Sequence, residues 1–171
     1  MQAILHCDRN WGIGKNNSLM FKLPKDMKYF RESTIDKIVV MGANTFKSLP
    51  NSMPLKNRLN IVLQSSEPEE NTQKFSNLIF TKDFNDLLKK LEEYPSDDVF
   101  IIGGAKMYKA LLPYCKFAYI TKVDADGSAD IFIENLDNHH DWKAIKEGPW
   151  INDNGYKIQF TVYRNKNVKN L

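Results

Sequence analysis

Strand-length apolar runs and helical patterns alternate along most of the chain, and two further strand-length runs then follow with no helix between them. This order narrows the fold more than any other feature. The runs are Gln2–Cys7, Lys37–Met41, Arg58–Leu63, Leu78–Phe80, Val99–Ile102, Phe117–Val123, Trp142–Lys146 and Lys157–Arg164. KIVVM and VFII are short, continuous and apolar, as strands covered on both faces must be. KIQFTVYR alternates apolar and polar, as a half-buried strand does. Between the runs, Pro24–Thr34 opens with proline and is predicted to put Met27, Phe30, Arg31 and Thr34 on one helical face. Phe84, Leu87, Leu88 and Leu91 make an apolar stripe with Asp83 as its cap. Gly104–Leu112 reads as another helix, stopped near Pro113. The pattern predicts an α/β fold: an eight-stranded, mixed but mostly parallel sheet with about four flanking helices. The last two runs, joined by Glu147–Gly155, predict an antiparallel hairpin at one edge.

A chain of 171 residues suits one domain, and no repeat or low-complexity linker divides it. The net charge of +3 is too small to argue for a nucleic-acid surface. No run approaches a membrane span, and MQAILHCDRN lacks the basic start of a signal peptide, so a cytoplasmic protein with no membrane partner is expected. Cys7 and Cys115 give no disulfide framework and are expected as buried thiols. No His/Cys/Asp cluster shows metal-ligand spacing, so no metal is expected, and of His6, His139 and His140 the last two read as solvated.

Three segments could carry chemistry. Asn10–Asn17 (NWGIGKNN) has glycines and asparagines that permit unusual backbone, though an ordinary surface loop reads the same way; it is not a P-loop. Asp26 sits in the first turn of the first helix with Phe30 four residues on. It is either a charge favoured by the helix dipole or a carboxylate turned inward to meet a ligand. Ile101–Tyr108 (IIGGAKMY) ends a buried strand in two glycines and opens a helix, which suits either tight packing or phosphate binding. A GxGxxG fingerprint is absent, which disfavours an ordinary Rossmann domain.

Five blocks, WGIGKNNSLMFKLPKDMKYF, KIVVMGANTFKSLP, PLKNRLNIVLQSS, VFIIGGAKMY and YITKVDADGSADIF, resemble the dihydrofolate reductase family in order and spacing, from about Met1 to Arg164. The resemblance implies reduction of 7,8-dihydrofolate to tetrahydrofolate by NADPH in a monomeric, single-domain enzyme, with residues 37–97 forming an adenosine-binding subdomain. It implies that Asp26, Thr121 and Phe21 form the catalytic end, with Asp26 holding the pterin and Thr121 bonded to that carboxylate. Phe30 lies against the pterin, Ile4, Leu49, Leu55 and Ile102 wall the cleft, and Arg58 pairs with the folate glutamate. The cofactor is implied at His6, Ile13, Gly14, Asn17, Ser18 and Leu19, with Gly14–Leu19 a mobile loop. Gly42, Asn44 and Thr45, then Leu63, Gln64 and Ser65, then Lys82, continue that side. It ends at Gly103, Gly104, Ala105, Lys106, Met107 and Tyr108, the two glycines joined by a cis peptide.

The chain departs from the family pattern at four places. Met20-Phe21 replaces a frequent Pro-Trp, which loses an indole N–H. His6 stands where a small residue is usual, in a position whose backbone serves the carboxamide. Ala43 stands where many members carry an arginine near the cofactor phosphate. Ile35-Asp36-Lys37 lacks a glycine often found before the second strand. Two rival readings are a pyrimidine reductase of the riboflavin pathway, which Asp26 and Arg58 together disfavour, and a folate-binding protein without catalysis.

Overall fold

The apolar runs at the centre of the chain become strands buried on both faces. The structure is a computed structural model that describes residues 1–68 and 74–171. β1 (Gln2–Cys7) is followed by a short β2 (Gly12–Gly14), α1 (Pro24–Thr34), β3 (Ile38–Gly42), α2 (Ala43–Ser48), β4 (Leu59–Leu63) and β5 (Leu78–Thr81). Then come α3 (Phe84–Leu91), β6 (Val99–Gly103), α4 (Ala105–Leu111), β7 (Phe117–Val123), a two-residue β8 (Ile131–Phe132), β9 (Trp142–Glu147), β10 (Ile151–Asp153) and β11 (Tyr156–Asn165).

Among the described residues the main sheet has the order β10-β11-β7-β1-β6-β3-β4-β5, with β9 also paired to β11. Neighbours from β7 to β5 run parallel, whereas β11 is antiparallel to β7, β9 and β10. The expected eight strands become nine in eight places, because β9 and β10 share the outer edge of β11. The expected hairpin is therefore two pairings. Asn154 and Gly155, both at positive φ, form the tight turn from β10 into β11, as an Asn-Gly pair does. A bulge at Val162/Tyr163 lets β9 pair farther along.

α3 forms as its pattern predicts. Asp83 accepts from the Asp86 N–H at 2.9 Å, and Leu87 and Leu91 are buried. α1 is rotated relative to expectation. Asp26, Tyr29, Phe30, Ser33 and Thr34 face inward, while Met27 and Arg31 are exposed. The inward residues keep the i, i+3, i+4, i+7 spacing of one helical stripe, so the true stripe starts one residue earlier than the apolar side chains suggested.

The two long segments that carry little regular structure, Asp8–Leu23 and Asp124–Asp141, are not independent. Gly12–Gly14 pairs with Ile131–Phe132, and the buried Asp8 carboxylate accepts from the N–H groups of Asn10, Gly12 and Gly127 at 2.8–3.1 Å. A Cβ on Gly12 would stand 2.3 Å from the Ala129 Cβ, so this contact needs glycine.

Among the described residues no helix is long and apolar enough to cross a membrane. Cys7 and Cys115 are buried, and burial pushes both thiols up to about 12. Since the thiolate is the reactive form, an aromatic disulfide reagent at pH 8 is expected to modify neither cysteine until denaturant is added. Modification of the native protein at the unfolded rate would contradict this burial.

Candidate active site

The parallel strands β5, β4, β3, β6 and β1 end on one edge of the sheet. Lys82, Gln64, Gly42, Gly103 and His6 stand at or beside those ends, in that spatial order. From β1 the chain passes through α1 to β3, leaving β6 to fill the place between. Crevices at such reversals of strand order are where open α/β sheets bind ligands.

Two helices start side by side there. α2 leaves β3 and α4 leaves β6, and neither has a side-chain cap. Their first N–H groups are therefore available to an anion. A Cβ on Gly103 or Gly104 would stand 3.4 Å from Thr45 Oγ1, and one on Gly42 would stand 3.4 Å from Met107 Cγ. Gly103 has φ +125°, and its bond to Gly104 is cis. Met107 and Tyr108, expected at the cofactor, have buried side chains, because positions three and four beyond Gly104 face the core. The Tyr108 hydroxyl donates to the Ile4 carbonyl at 3.0 Å and braces the glycine pair from behind. Asn44, Ser65, Lys82 and Lys106 are exposed along the same edge, beside the half-buried Ala43, Thr45, Leu63 and Ala105.

The Gly14–Leu19 loop closes on itself through mutual backbone bonds between Lys15 and Ser18, with Asn16 and Asn17 at positive φ. Asp130 takes the Asn16 N–H at 2.9 Å. Asn17, Ser18 and Leu19 are exposed and Ile13 is half-buried. Phe21 is buried, its ring 6.1 Å from His6 and 4.8 Å from Tyr156.

The two readings of Asp26 can now be separated. The first N–H groups of α1, at Lys25 and Asp26, donate to the buried Asp153 carboxylate of β10 at 3.0–3.1 Å. Asp153 therefore supplies the negative charge that the helix start favours. The Asp26 side chain, 13% exposed, points instead to His6, with Oδ2 3.1 Å from Nδ1. Thr121, the expected partner, is buried on β7 directly across from His6, and the carboxylate's side-chain partner among the described residues is His6. The larger ring reaches α1 from β1 where a small residue would leave the space to others.

The other end of α1 carries a second polar feature. Arg58 Nη1 donates to Thr34 Oγ1 at 3.2 Å, and its Nε donates to the Lys56 carbonyl at 2.9 Å. Burial and then the nearby Arg31 push the Arg58 guanidinium down from its ordinary range. Among the described residues neither arginine has an acid within salt-bridge distance. Two neighbouring cations without a counter-charge favour an anion beside them. Between the ends, Phe30 is half-buried on α1. Leu49, Leu55 and Ile102 pack on a cluster of Val39, Met41, Phe46 and Val62, and the buried Ile4 lies on β1.

Arg31 and Asp153 carried no signal in the sequence as site residues. His139 is not simply solvated: its Nδ1 accepts from the Asp141 N–H at 3.0 Å, and its ring stacks on His140.

The family model described as dihydrofolate reductase matches residues 1–165. The chain belongs to the dihydrofolate reductase family. The dihydrofolate reductase of Bacillus subtilis (strain 168) is 34% identical over 166 residues, covering 96% of this chain and 94% of that protein. The dihydrofolate reductase of Enterococcus faecium is 34% identical over 131 residues, covering 76% of this chain and 75% of the relative. The dihydrofolate reductase of Enterococcus faecalis, solved in complex with NADP(H) and RAB-propyl, superposes with a TM-score of 0.81 at 28% identity. It covers 96% of this chain and 95% of that one. The fold is thus shared with that solved structure over nearly the whole chain.

Proposed function

We propose that this chain reduces 7,8-dihydrofolate to 5,6,7,8-tetrahydrofolate with hydride from NADPH. The observation that carries the reading is the polarity of α1. A carboxylate projects from its first turn and an arginine without a counter-charge is held at its last, at Thr34. Eight residues separate Asp26 from Thr34, or about 12 Å at the helical rise. That arrangement suits a flat ligand with hydrogen-bond donors at one end and a carboxylate at the other, as dihydrofolate has.

When bound, the dinucleotide supplies the hydride that C6 of the pterin accepts. Gly103, Gly104 and Thr45, at the two uncapped helix starts, would hold its diphosphate. Gln64, Ser65 and Lys82 would hold the adenosine end, on a subdomain of residues 37–97. The Gly14–Leu19 loop would cover the nicotinamide. Asp26 accepts hydrogen bonds from the pyrimidine edge of the pterin, and its charge favours a protonated ring; water delivers the proton to N5. Phe21, buried between His6 and Tyr156, keeps bulk solvent from that edge. Every residue assigned comes from one chain, so a monomer suffices, and the same reading places the enzyme in the cytoplasm.

The test is NADPH oxidation, followed by absorbance, with dihydrofolate as the second substrate. Turnover with an aminopyrimidine instead would favour the riboflavin-pathway reading, and tight folate binding without turnover a binding protein. The cofactor preference carries a further expectation. The 2′-phosphate of NADPH needs cations and donors, and Ala43 offers neither. Lys106, Lys82, Ser65 and Ser66 remain exposed near that edge. Each charge-assisted bond contributes about 1.5–3 kcal/mol, so two of them favour NADPH over NADH by a factor on the order of 10² or more. Ala43→Arg is expected to raise kcat/KM for NADPH and leave NADH nearly unchanged, and Lys106→Ala to narrow the preference. Equal use of both cofactors by the unmodified protein would show that the phosphate is not recognised.

A further inference from the structure

His6 is a polar, ionisable side chain set into the centre of the sheet. It lies on β1, with Thr121 across from it on β7. Its side chain is 6% exposed, its Nδ1 is 3.1 Å from Asp26 Oδ2, and its Nε2 is enclosed without a hydrogen-bond partner among the described residues. A histidine so placed is not a packing residue by chemistry, since an apolar side chain would fill the same space without an orphaned nitrogen.

The enclosed Nε2 decides how the proton is placed. If the ring were an imidazolium, Nε2 would be a charged donor with no acceptor. If it were neutral with hydrogen on Nε2, that donor would again be unmet, and the bare Nδ1 would face a carboxylate oxygen, acceptor against acceptor. A neutral ring with hydrogen on Nδ1 donates to Asp26 and leaves unmet only the Nε2 lone pair. Of the three arrangements, this one leaves the least polar capacity unsatisfied.

We propose that His6 is a positioning residue for the reaction assigned above, its Nδ1–H holding the Asp26 carboxylate in place before substrate arrives. The inference rests on that functional reading. Three constraints meet on Asp26. Its backbone N–H is bonded to Asp153, its helix is anchored at that end by the same carboxylate, and its Oδ2 is bonded to His6. Each carboxylate oxygen accepts more than one bond, so Oδ2 remains able to meet a ligand donor, and among the described residues Oδ1 has no protein partner. The packed Phe21 ring beside His6 offers no polar atom, so the protein donor to the carboxylate comes from β1. A carboxylate fixed in this way does not have to be reoriented when substrate binds.

The test compares His6→Ala and His6→Asn, alone and in an Asp26→Asn background. Asparagine keeps an N–H close to the place of Nδ1; alanine removes it. A hydrogen bond to a charged group corresponds to roughly 10- to 100-fold. His6→Ala is therefore expected to lower kcat/KM for dihydrofolate by about tenfold or more, with the NADPH KM changed less than about twofold, because the cofactor is expected at the His6 backbone, which the substitution keeps. His6→Asn is expected to recover most of the loss. In the Asp26→Asn background His6→Ala is expected to change little, since residues that act through one another are not additive. A ring that only fills space would give the same loss in both backgrounds and no recovery with asparagine, and either result overturns the proposal. A second measurement needs neither turnover nor a variant. The imidazole nitrogen-15 spectrum of the unliganded protein at neutral pH should show His6 with hydrogen on Nδ1, and hydrogen on Nε2 alone would overturn the dyad. If the unmodified protein fails to oxidise NADPH with dihydrofolate, the functional reading falls by itself, while the nitrogen spectrum still decides the His6–Asp26 contact.

Discussion

Asp26→Asn is expected to leave the fold intact and to remove most turnover at neutral pH, by a factor of ~10²–10⁴. The fold survives for a specific reason. The N-terminal amides of α1 are bonded to Asp153, so the helix start does not depend on the charge of Asp26. Asparagine has the same shape, and its amide oxygen can still accept from His6. What disappears is the negative charge that favours a protonated pterin, together with one acceptor toward its pyrimidine edge. Thermal melting should therefore change by no more than the contribution of one hydrogen bond, about 1 kcal/mol. The measurement is kcat/KM for dihydrofolate at pH 7 beside a melting curve. Activity within threefold of the unmodified protein would return Asp26 to the role of a helix-terminus charge.

Arg58→Leu is expected to raise the KM for dihydrofolate by ~30-fold or more, while the KM for NADPH stays close to its original value. Removing one partner of a buried, charge-assisted pair costs roughly 2–5 kcal/mol. The geometry makes Arg58 ready for that pairing. Thr34 and the Lys56 carbonyl hold the guanidinium in place, and Arg31 adds a second positive charge, with no acid among the described residues within salt-bridge distance of either. Removing Arg58 also removes the repulsion with Arg31, so the variant should fold without a large loss of stability. That separates a binding defect from a folding defect. A substrate analogue lacking the glutamate should be nearly indifferent to the change. Equal losses for the two substrates would defeat the assignment.

Much of the fold was legible because it rests on local patterns. Asp83 and the Phe84–Leu91 stripe predict α3, its cap and its buried side, and the structure has all three. The continuous apolar runs predict the buried strands to within about one residue at most ends. What failed was short or displaced. α2 has six residues, too few to show a helical period, and β2 and β8 have three and two. α1 was found but turned, because Met27 is apolar and exposed whereas Asp26 is charged and faces inward. Reading a stripe from hydrophobicity alone misplaces a helix whose inner face borders a cleft.

The sequence by itself determined the α/β alternation, the antiparallel end, the glycine pair after β6, and the acid in the first turn of α1. These depend on propensities and periods that act over a few residues. Only the tertiary structure decided what those groups meet. Asp153 caps α1 across 127 residues, His6 reaches Asp26 across 20, and Arg58 is held at Thr34 across 24. Such contacts follow from the order in which strands pair, which sets β1 beside β7 and brings β10 to the start of α1. Strand order is fixed by burial of the whole sheet rather than by any segment, so no window of sequence contains it. The partner of the Asp26 carboxylate therefore became visible only once the chain was folded.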